Sequence, residues 1–437
     1  MTDLKQLARD IFHETLAGVD IPSAFERKLQ REGSRLSVDD VTIDLADYRS
    51  IRAVAMGKAS AAMARGLVER LGRDVQLRGV LAAPHDALAE IPGFRAIGAA
   101  HPLPDEGSLA AARAILDLLA GADSQTLIFF LLSGGSSSLV ELPLDPSITL
   151  SDLQQLHRLL VSCGAPIDEM NAVRKHLSAV KGGRLAAAAP AAMKLSLGVT
   201  DVPQGRESAL ASGPTLPDPT TVADARRVIE RYGLLAQLPA AIRAKFEHPE
   251  TIPETPKAGD AAFVRARFVM LLGMHDLFHH AHRAAEAHGC VTVCDNTTDD
   301  WPVEKAADFL LAELAKLRAA RPGRRVAVIA DGEVSSPVTG DGIGGRNSAF
   351  VLACVEKIAG PPIAVLSAGT DGKDGNSPAA GAVADGGTFE RARIAGLDPR
   401  DFVRRCDSYN FFRALGDALE TGPTNNNLRD LRVLIAE

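Results

Sequence analysis

Short continuous apolar runs alternate along this chain with longer runs of helical periodicity, and that alternation predicts an α/β fold. Leu4, Leu7, Ile11 and Leu16 recur at helical spacing and predict one amphipathic helix over residues 4–30. Strands are expected at Ile51–Met56, Gly79–Ala83, Arg95–Ala99, Thr126–Leu132 and Lys194–Val199, with helices at Ala59–Leu71 and Leu109–Leu119. Thr126–Leu132 is apolar throughout, as in a strand buried on both faces. Ser151 is expected to cap a helix carrying Leu153, Leu156, Leu159 and Leu160 that stops at Gly164, and Asp168–Val180 forms the next. Farther on the pattern predicts strand Phe268–Leu272, helix Leu277–His288, strand Cys290–Cys294, helix Val303–Arg318 and strands Val326–Ala330 and Ile363–Leu366. Helix Asn347–Lys357 falls between those two strands, and helix Asn410–Leu419 and strand Arg432–Ile435 close the chain. Pro239, Pro249, Pro253 and Pro256 mark a connection. The expected organisation is therefore an N-terminal α/β domain over 1–240, a connection over 241–265 and a C-terminal α/β domain over 266–437. Each is expected to hold a mostly parallel sheet flanked by helices.

Two of these strands run directly into loops rich in glycine and aspartate. Val326–Ala330 leads into Asp331-Gly-Glu-Val and then Thr339-Gly-Asp-Gly-Ile-Gly-Gly-Arg-Asn-Ser; Ile363–Leu366 leads into Ser367-Ala-Gly-Thr-Asp-Gly-Lys-Asp-Gly-Asn. The carboxyl edge of an α/β sheet is where ligands bind. Glycine there lets backbone N–H groups approach an anion, and adjacent carboxylates suit a hard divalent cation. The pair points to phosphate chemistry. Gly340-Asp-Gly-Ile-Gly-Gly also satisfies a dinucleotide fingerprint, but it lies ten residues beyond its strand, and Lys357-Ile-Ala-Gly-Pro-Pro offers no ribose-binding acid. A flexible loop that offers Arg346 to an anion is the better reading.

Length and composition narrow the class. At 437 residues, 46% apolar and 24% charged, the chain suits a globular protein of two domains. A net charge of −7 gives no footprint for nucleic acid, and no apolar run reaches membrane-spanning length. Residues 1–10 lack the apolar centre of a signal peptide, and five scattered cysteines suit reduced thiols, so a cytoplasmic location is expected.

Several polar motifs sit at predicted strand ends in the first domain. Gly57-Lys58 follows a strand without the spacing of a P-loop; a lysine there is ordinarily a solvated side chain, yet a cation at a helix start opposes the helix dipole, which favours an anion-binding role. Ser133-Gly-Gly-Ser-Ser-Ser resembles an anion cradle, with a tight glycine turn as the bland alternative. Asn171, Arg174, Lys175 and Ser178 fall at helical spacing on one face, which could aim two cations and an amide at a carboxylate or phosphate. His275, His279, His282, Cys290 and Cys294 carry no recognised zinc pattern and read as a polar helix face.

Nine motifs occur in one order: Met56-Gly-Lys-Ala, His101-Pro-Leu-Pro-Asp-Glu, Leu132-Ser-Gly-Gly-Ser-Ser, Asn171-x-x-Arg-Lys-His-Leu-Ser, Thr200-Asp-Val, Ala211-Ser-Gly-Pro-Thr, Gly344-Gly-Arg-Asn, Thr370-Asp-Gly-x-Asp-Gly and Thr421-Gly-Pro-Thr-Asn-Asn-Asn. Together they resemble the class II glycerate kinases, the MOFRL family, over about residues 5–430; many bacterial members are labelled hydroxypyruvate reductase. The resemblance implies two α/β domains with the active site in the interdomain cleft, and ATP-dependent phosphorylation of D-glycerate to 2-phosphoglycerate. It matches Lys58 and Arg346 to active-site cations. On this reading Asp201 orients or deprotonates the hydroxyl. Ser133, Gly134, Gly135, Ser136, Ser137, Asn171, Arg174 and Lys175 bind substrate. Gly342, Gly344, Gly345, Gly369, Thr370 and Gly372 bind ATP, and Asp331, Glu333 and Asp371 hold Mg²⁺. The alternative is an NAD(P)H-dependent hydroxypyruvate reductase. D-Glycerate and ATP are the expected partners, with neither nucleic acid nor membrane, and a homodimer is compatible.

Overall fold

The computed structural model describes residues 3–200, 202, 205–424 and 428–437, which divide into two units, Ala24–Leu271 and Met1–Ser23 with Leu272–Glu437. In the first unit a small antiparallel sheet, β1 (Leu29–Glu32), β2 (Arg35–Val38) and β3 (Val41–Asp44), precedes the main one. The main sheet contains β4 (Ser50–Met56), β5 (Leu77–Pro84), β6 (Phe94–Ala99), β7 (Thr126–Ser133), β8 (Met193–Val199) and β9 (Ala266–Leu272), in the order β6-β5-β4-β7-β8-β9. Strands β4 to β8 pair in parallel. The chain moves outward from β4 to β5 and β6, then returns to the other side of β4 as β7. The carboxyl ends of β4 and β7 therefore form the topological switch point, where open α/β sheets bind ligands.

Residues Thr126–Ser133 are buried along their whole length, as their unbroken apolar run predicts. On one face of the sheet Val54, Val80, Ile128 and Phe130 pack with Ile115 of helix Glu106–Leu119. A second core joins helices Leu150–Ser162, Ile167–Leu177, Val222–Arg231 and Ala240–Glu247 through Leu156, Val173, Val228 and Ile242.

The second unit contains β10 (Val291–Asp295), β11 (Val326–Asp331), β12 (Ile363–Gly369), β13 (Gly381–Asp385), β14 (Ala418–Leu419) and β15 (Asp430–Ala436), in the order β10-β11-β15-β12-β13-β14. Only β10 and β11 pair in parallel; the four other pairings are antiparallel. The α/β class with two sheet-bearing units agrees with the sequence reading, and the first sheet is mostly parallel. The second is mixed, because the last strand enters between β11 and β12 in the opposite direction. Phe350 and Val351 of helix Arg346–Val355 pack with Val328, Val365 and Leu434 to make its core.

Several boundaries need correction. Residues 4–30 form two helices, Leu4–Gly18 and Ile21–Lys28, separated at Val19 and Asp20. The first helix belongs with the C-terminal unit, and its Lys5 is paired with Asp417 at 3.0 Å. Conversely β9 completes the N-terminal sheet, and the proline-rich connection is part of that unit, with Leu238, Ile242, Phe246 and Ile252 in its core. Thr149, rather than Ser151, caps its helix by accepting from Asp152 N. The helix starting near Asp168 ends at Leu177, and Ser178 is extended. The last predicted helix stops at Ala414, and β14 follows.

Candidate functional site

At the switch point of the first unit, the loops after β4 and β7 interlock. Lys58 N donates to Gly134 O (2.9 Å) and Ala59 N to Ser133 Oγ (3.1 Å), while Ser136 Oγ donates to Met56 O (2.8 Å). Gly57 has φ +118°, and a Cβ there would lie 2.2 Å from Ser133 Oγ, so only glycine permits this approach. Gly135, at φ +86°, passes between His101 and Lys58; a Cβ on it would meet both at 3.2 Å. No protein acceptor among the described residues lies within hydrogen-bond reach of the N–H groups of residues 134–137. Lys58 is exposed, and its ammonium has no ion-pair partner among the described residues. Of these N–H groups, those of the partly exposed Gly134, Gly135 and Ser137 lie in one loop near the unpaired Lys58, an arrangement chemically suited to an anion, while Ser136 is buried.

The surrounding side chains are held by a polar network. Ser137 Oγ lies 2.9 Å from Ser212 Oγ, and Ser212 donates to Asn171 Oδ1 at 3.0 Å. Ala211 and Ser212 both adopt left-handed conformations, at φ +55° and +59°, which non-glycine residues hold only under constraint. Arg174 Nη2 donates to His157 Nε2 at 3.0 Å. Since guanidinium only donates, Nε2 is the acceptor and the His157 proton resides on Nδ1. Burial, with Arg174, Lys181 and His101 adding charge repulsion, pushes His157 down to about 4. Burial and then the Lys58 charge also lower His101. Both imidazoles are neutral near pH 7.

Asn171, Arg174, Lys175 and Ser178 do not act as one face. Lys175 is buried in an ion pair with Asp218 (3.2 Å), whose carboxylate also accepts from Thr220 and Thr255. Ser178 donates to Glu141 (2.6 Å), which also pairs with buried Lys181. Lys175 is thus a structural cation rather than a substrate ligand; Asn171 joins the Ser137–Ser212 pair, whereas Arg174 bonds His157. Asp201 lies outside the described residues, as do Asn425, Asn426 and Asn427 of the Thr421 motif.

In the second unit, the glycine loops pack against each other instead of standing open. Asp374 accepts from Asn347 N (2.9 Å) and Ser348 N (2.8 Å), occupying the amino end of helix Arg346–Val355. Gly342 N donates to Arg405 O, Gly344 N to Asn376 Oδ1 and Gly345 N to Ser348 Oγ. A Cβ on Gly345 would sit 2.3 Å from Asp374 Oδ1, and one on Gly375 2.3 Å from Gly344 O. Gly369 N and Gly372 N bond to Ala380 O and Gly369 O, and Thr370 binds the Arg429 carbonyl through N and Oγ1. The six residues expected to cradle ATP therefore spend their backbone donors within the protein. Their glycines serve close packing of loop on loop. The same bonds, and the distance of the loop from the end of β11, remove the dinucleotide fingerprint.

These loops nevertheless line a cavity of about 720 Å³, together with Glu304, Arg346, Asp371, Lys373 and Asn376. Arg346 is held on two sides: its Nε donates to Asp430 Oδ2 (2.5 Å) and its Nη1 to Glu333 Oε2 (2.8 Å). Burial opposes the guanidinium charge, but the bonds to Asp430 and then Glu333 outweigh it and hold its pKa above the ordinary value. Lys373 is exposed and free of carboxylate partners among the described residues.

Behind Arg346 lies a charge cluster at the carboxyl ends of β11 and β12 and the amino end of β15. Asp299 takes both its oxygens to Arg429 Nη2 (2.6 Å), and Arg432, fully buried, donates to Asp331 O (3.1 Å) and Gly332 O (2.8 Å). Asp331 is fully buried, neither carboxylate oxygen has a hydrogen-bond partner, and burial pushes its pKa up to about 6. Glu333 is tied to Arg346, and Asp371 accepts from Lys373 N (2.9 Å), so the expected metal triad is not assembled. Among the described residues no group of three His, Cys, Asp or Glu is arranged around a common metal position. Of the three, only Asp331 has the unpartnered oxygens that a hard cation requires.

Sequence reasoning passed over His101, His157, Ser212, Asp299, Asp374, Arg429, Asp430 and Arg432. His101, Ser212 and Asp374 were inside the ordered motifs. Asp430 and Arg432 carried a signal as well: charged residues two apart in an otherwise apolar strand, buried throughout.

Comparison with known proteins accords with this architecture. Residues 7–247 match the domain of unknown function DUF4147, and residues 326–430 match the MOFRL family. A putative hydroxypyruvate reductase of Agrobacterium vitis is 37% identical over 388 residues, covering 87% of this chain and 86% of that one. The D-glycerate 2-kinase of Thermotoga maritima is 33% identical over 431 residues, covering 98% and 97%. The crystal structure of glycerate kinase from the same organism superposes with a TM-score of 0.86 at 32% identity, covering 99% of each chain. The chain belongs to the class II glycerate kinases of the MOFRL family.

Proposed function

We propose that this chain is a glycerate 2-kinase, which transfers the γ-phosphoryl group of ATP to D-glycerate and forms 2-phosphoglycerate. The observation that carries the reading is its similarity, over nearly the whole length of both chains, to a D-glycerate 2-kinase. The unbonded N–H groups of Gly134, Gly135 and Ser137, with Lys58, would supply an anion site suited to the glycerate carboxylate or the transferring phosphoryl. Lys58 would stabilise charge as it develops there. A neutral His101 beside Lys58 is a second candidate, with Asp201, to accept the proton of the attacked hydroxyl. Asn171, bonded to the Ser137–Ser212 pair, and Arg174, bonded to His157, would help to orient the substrate.

The 720 Å³ cavity of the second unit is within the ordinary range for a small-molecule site, and Arg346 and Lys373 can meet nucleotide phosphates there through side chains. Arg346 is held in one orientation by Asp430 and Glu333, which favours a fixed charge over a mobile one. Mg²⁺, when bound with ATP, would supply neutralisation of phosphate charge; among the described residues no carboxylate cluster is assembled to hold it. The five free cysteines accord with the reducing cytoplasm. Among the described residues no helix is long and apolar enough to cross a membrane. D-Glycerate and ATP are the partners we assign.

Purified protein supplied with D-glycerate and Mg·ATP should release ADP, with phosphorus NMR identifying the 2-phosphate ester. Oxidation of NADH by hydroxypyruvate in proportion to enzyme, without ADP from the glycerate assay, would establish the reductase instead.

A further inference from the structure

The end of the N-terminal sheet opposite to Lys58 carries a second, basic cavity. It measures about 460 Å³ and is lined by Arg49, Arg52, Arg78, Gln76, Asp117 and the carboxyl end of helix Glu106–Leu119. Arg52 of β4 and Arg78 of β5 are register partners in a parallel pair, so their side chains leave the same face of the sheet as neighbours. Like charges placed side by side on a sheet repel and are destabilising. Arg52 is partly accounted for: it donates to Leu118 O, to Ala120 O (3.0 Å) and to Ser50 Oγ (3.2 Å), and so caps the last carbonyls of that helix. Arg78 has no hydrogen-bond or ion-pair partner among the described residues. Arg49 has only an exposed contact with Asp123 at 3.9 Å. Asp117 forms no ion pair among the described residues and is the single carboxylate lining the cavity. Three arginines thus line one concavity of a chain whose net charge is −7, Arg49 and Arg78 exposed and Arg52 bonded to the helix carbonyls.

We propose that this cavity is a binding site for a phosphate-bearing small anion, separate from the switch-point loops. Arg78 and Arg49 would grip the phosphate oxygens and Arg52 would hold the wall they face. Guanidinium forks match phosphate geometry, and a bound dianion would offset the repulsion between Arg52 and Arg78. Six residues of extended chain separate Arg52 from Lys58, roughly 20 Å, so an anion here does not share ligands with the proposed glycerate site.

The test is calorimetric titration of inorganic pyrophosphate into the full-length protein presaturated with D-glycerate and a non-hydrolysable ATP analogue, with Mg²⁺ matched to the analogue. One pyrophosphate per chain should bind. Arg78→Ser and Arg49→Ser should each weaken binding by roughly tenfold or more, with melting temperature and kinase kcat/KM unchanged. Absence of binding at millimolar pyrophosphate, or equal binding by the wild-type protein and both variants, would overturn the proposal. Because the glycerate assay is run on the same variants, a failed kinase reading and a failed anion site give different results.

Discussion

At the scale of single residues, the structure separates cations that are free to act from cations already committed. Lys58 is exposed and unpaired, so Lys58→Ala should leave stability within about 0.5 kcal/mol while lowering kcat by roughly 10²–10³-fold; steady-state kinetics beside a denaturant melt will show both. Lys175→Ala should do the reverse. It strands the buried Asp218 carboxylate, and breaking such a pair costs about 3–5 kcal/mol, readable as a large fall in urea midpoint. His157 carries a pH signature. Its folded pKa, about 4, lies below the value near 6.5 of an unfolded histidine, so the unfolded chain binds the extra proton between those values. Stability should therefore fall as pH drops from about 6.5 towards 4. Because the ring retains some solvent contact, this contribution is on the order of 1–2 kcal/mol. His157→Gln should flatten that slope in urea melts taken across the range, and an unchanged slope would relocate its origin. Asp331 has the opposite sign. Its carboxyl is raised to about 6, so its burial costs stability as pH rises from about 4 through 6. At pH 7, Asp331→Asn should raise the melting temperature, read in thermal melts of both proteins.

At the scale of elements, the glycine-rich loops show how one composition serves two purposes. After β7, the loop leaves its N–H groups open and pairs only its side chains and carbonyls. After β11 and β12, the loops turn their donors on each other, with Asp374 joining two of them at the start of helix Arg346–Val355. Gly375 holds φ +62°, and a Cβ there would collide with the Gly344 carbonyl. Gly375→Ala should therefore destabilise the second unit by more than the ~1 kcal/mol of an unstrained glycine replacement. It should also open this joint, seen as faster amide exchange at Asn347 and Ser348. Gly134→Ala, with nothing within 4 Å of its Cβ, should leave folding intact.

At the scale of the whole molecule, the units do not follow chain order. The sheet of the second unit is packed by helix Leu4–Gly18, whose Ile11 and Phe12 are fully buried and whose Lys5 meets Asp417. A fragment comprising residues 24–271 contains its own complete sheet and core, and it should fold alone with cooperative melting. A fragment of residues 272–437 lacks the helix covering its sheet; it should be unstable or aggregate, and adding residues 1–23 in trans should rescue it. Equal stability of the two fragments would show that the helix is dispensable.

Local pattern was enough for the long apolar strands, but not for β1, β2, β3, β13 and β14, which the sequence reading left out or, at residues 29–30 and 418–419, read as helix. Short continuous apolar runs such as Thr126–Leu132 and Val326–Ala330, too short for a buried helix and followed by Gly-rich loops, read as strands buried on both faces, and the motifs at their ends fall at the sheet edge by the same logic. It was also enough for the ordered motif set and hence for the family. Strand direction in the second sheet was decided only by the tertiary structure, because Asp430–Ala436 reads as the same apolar strand whether it pairs parallel or antiparallel. So was the division into units, since nothing local in helix Leu4–Gly18 names the sheet it will cover. The roles of the charges belonged to it as well: Lys58 and Lys175 are both lysines near polar loops, and only the position of Asp218 makes one a buried structural ion while the other stays free. Sequence determines what each segment can bury. Which donors and charges remain unsatisfied, and so available for chemistry, is determined by the partners that folding brings within reach.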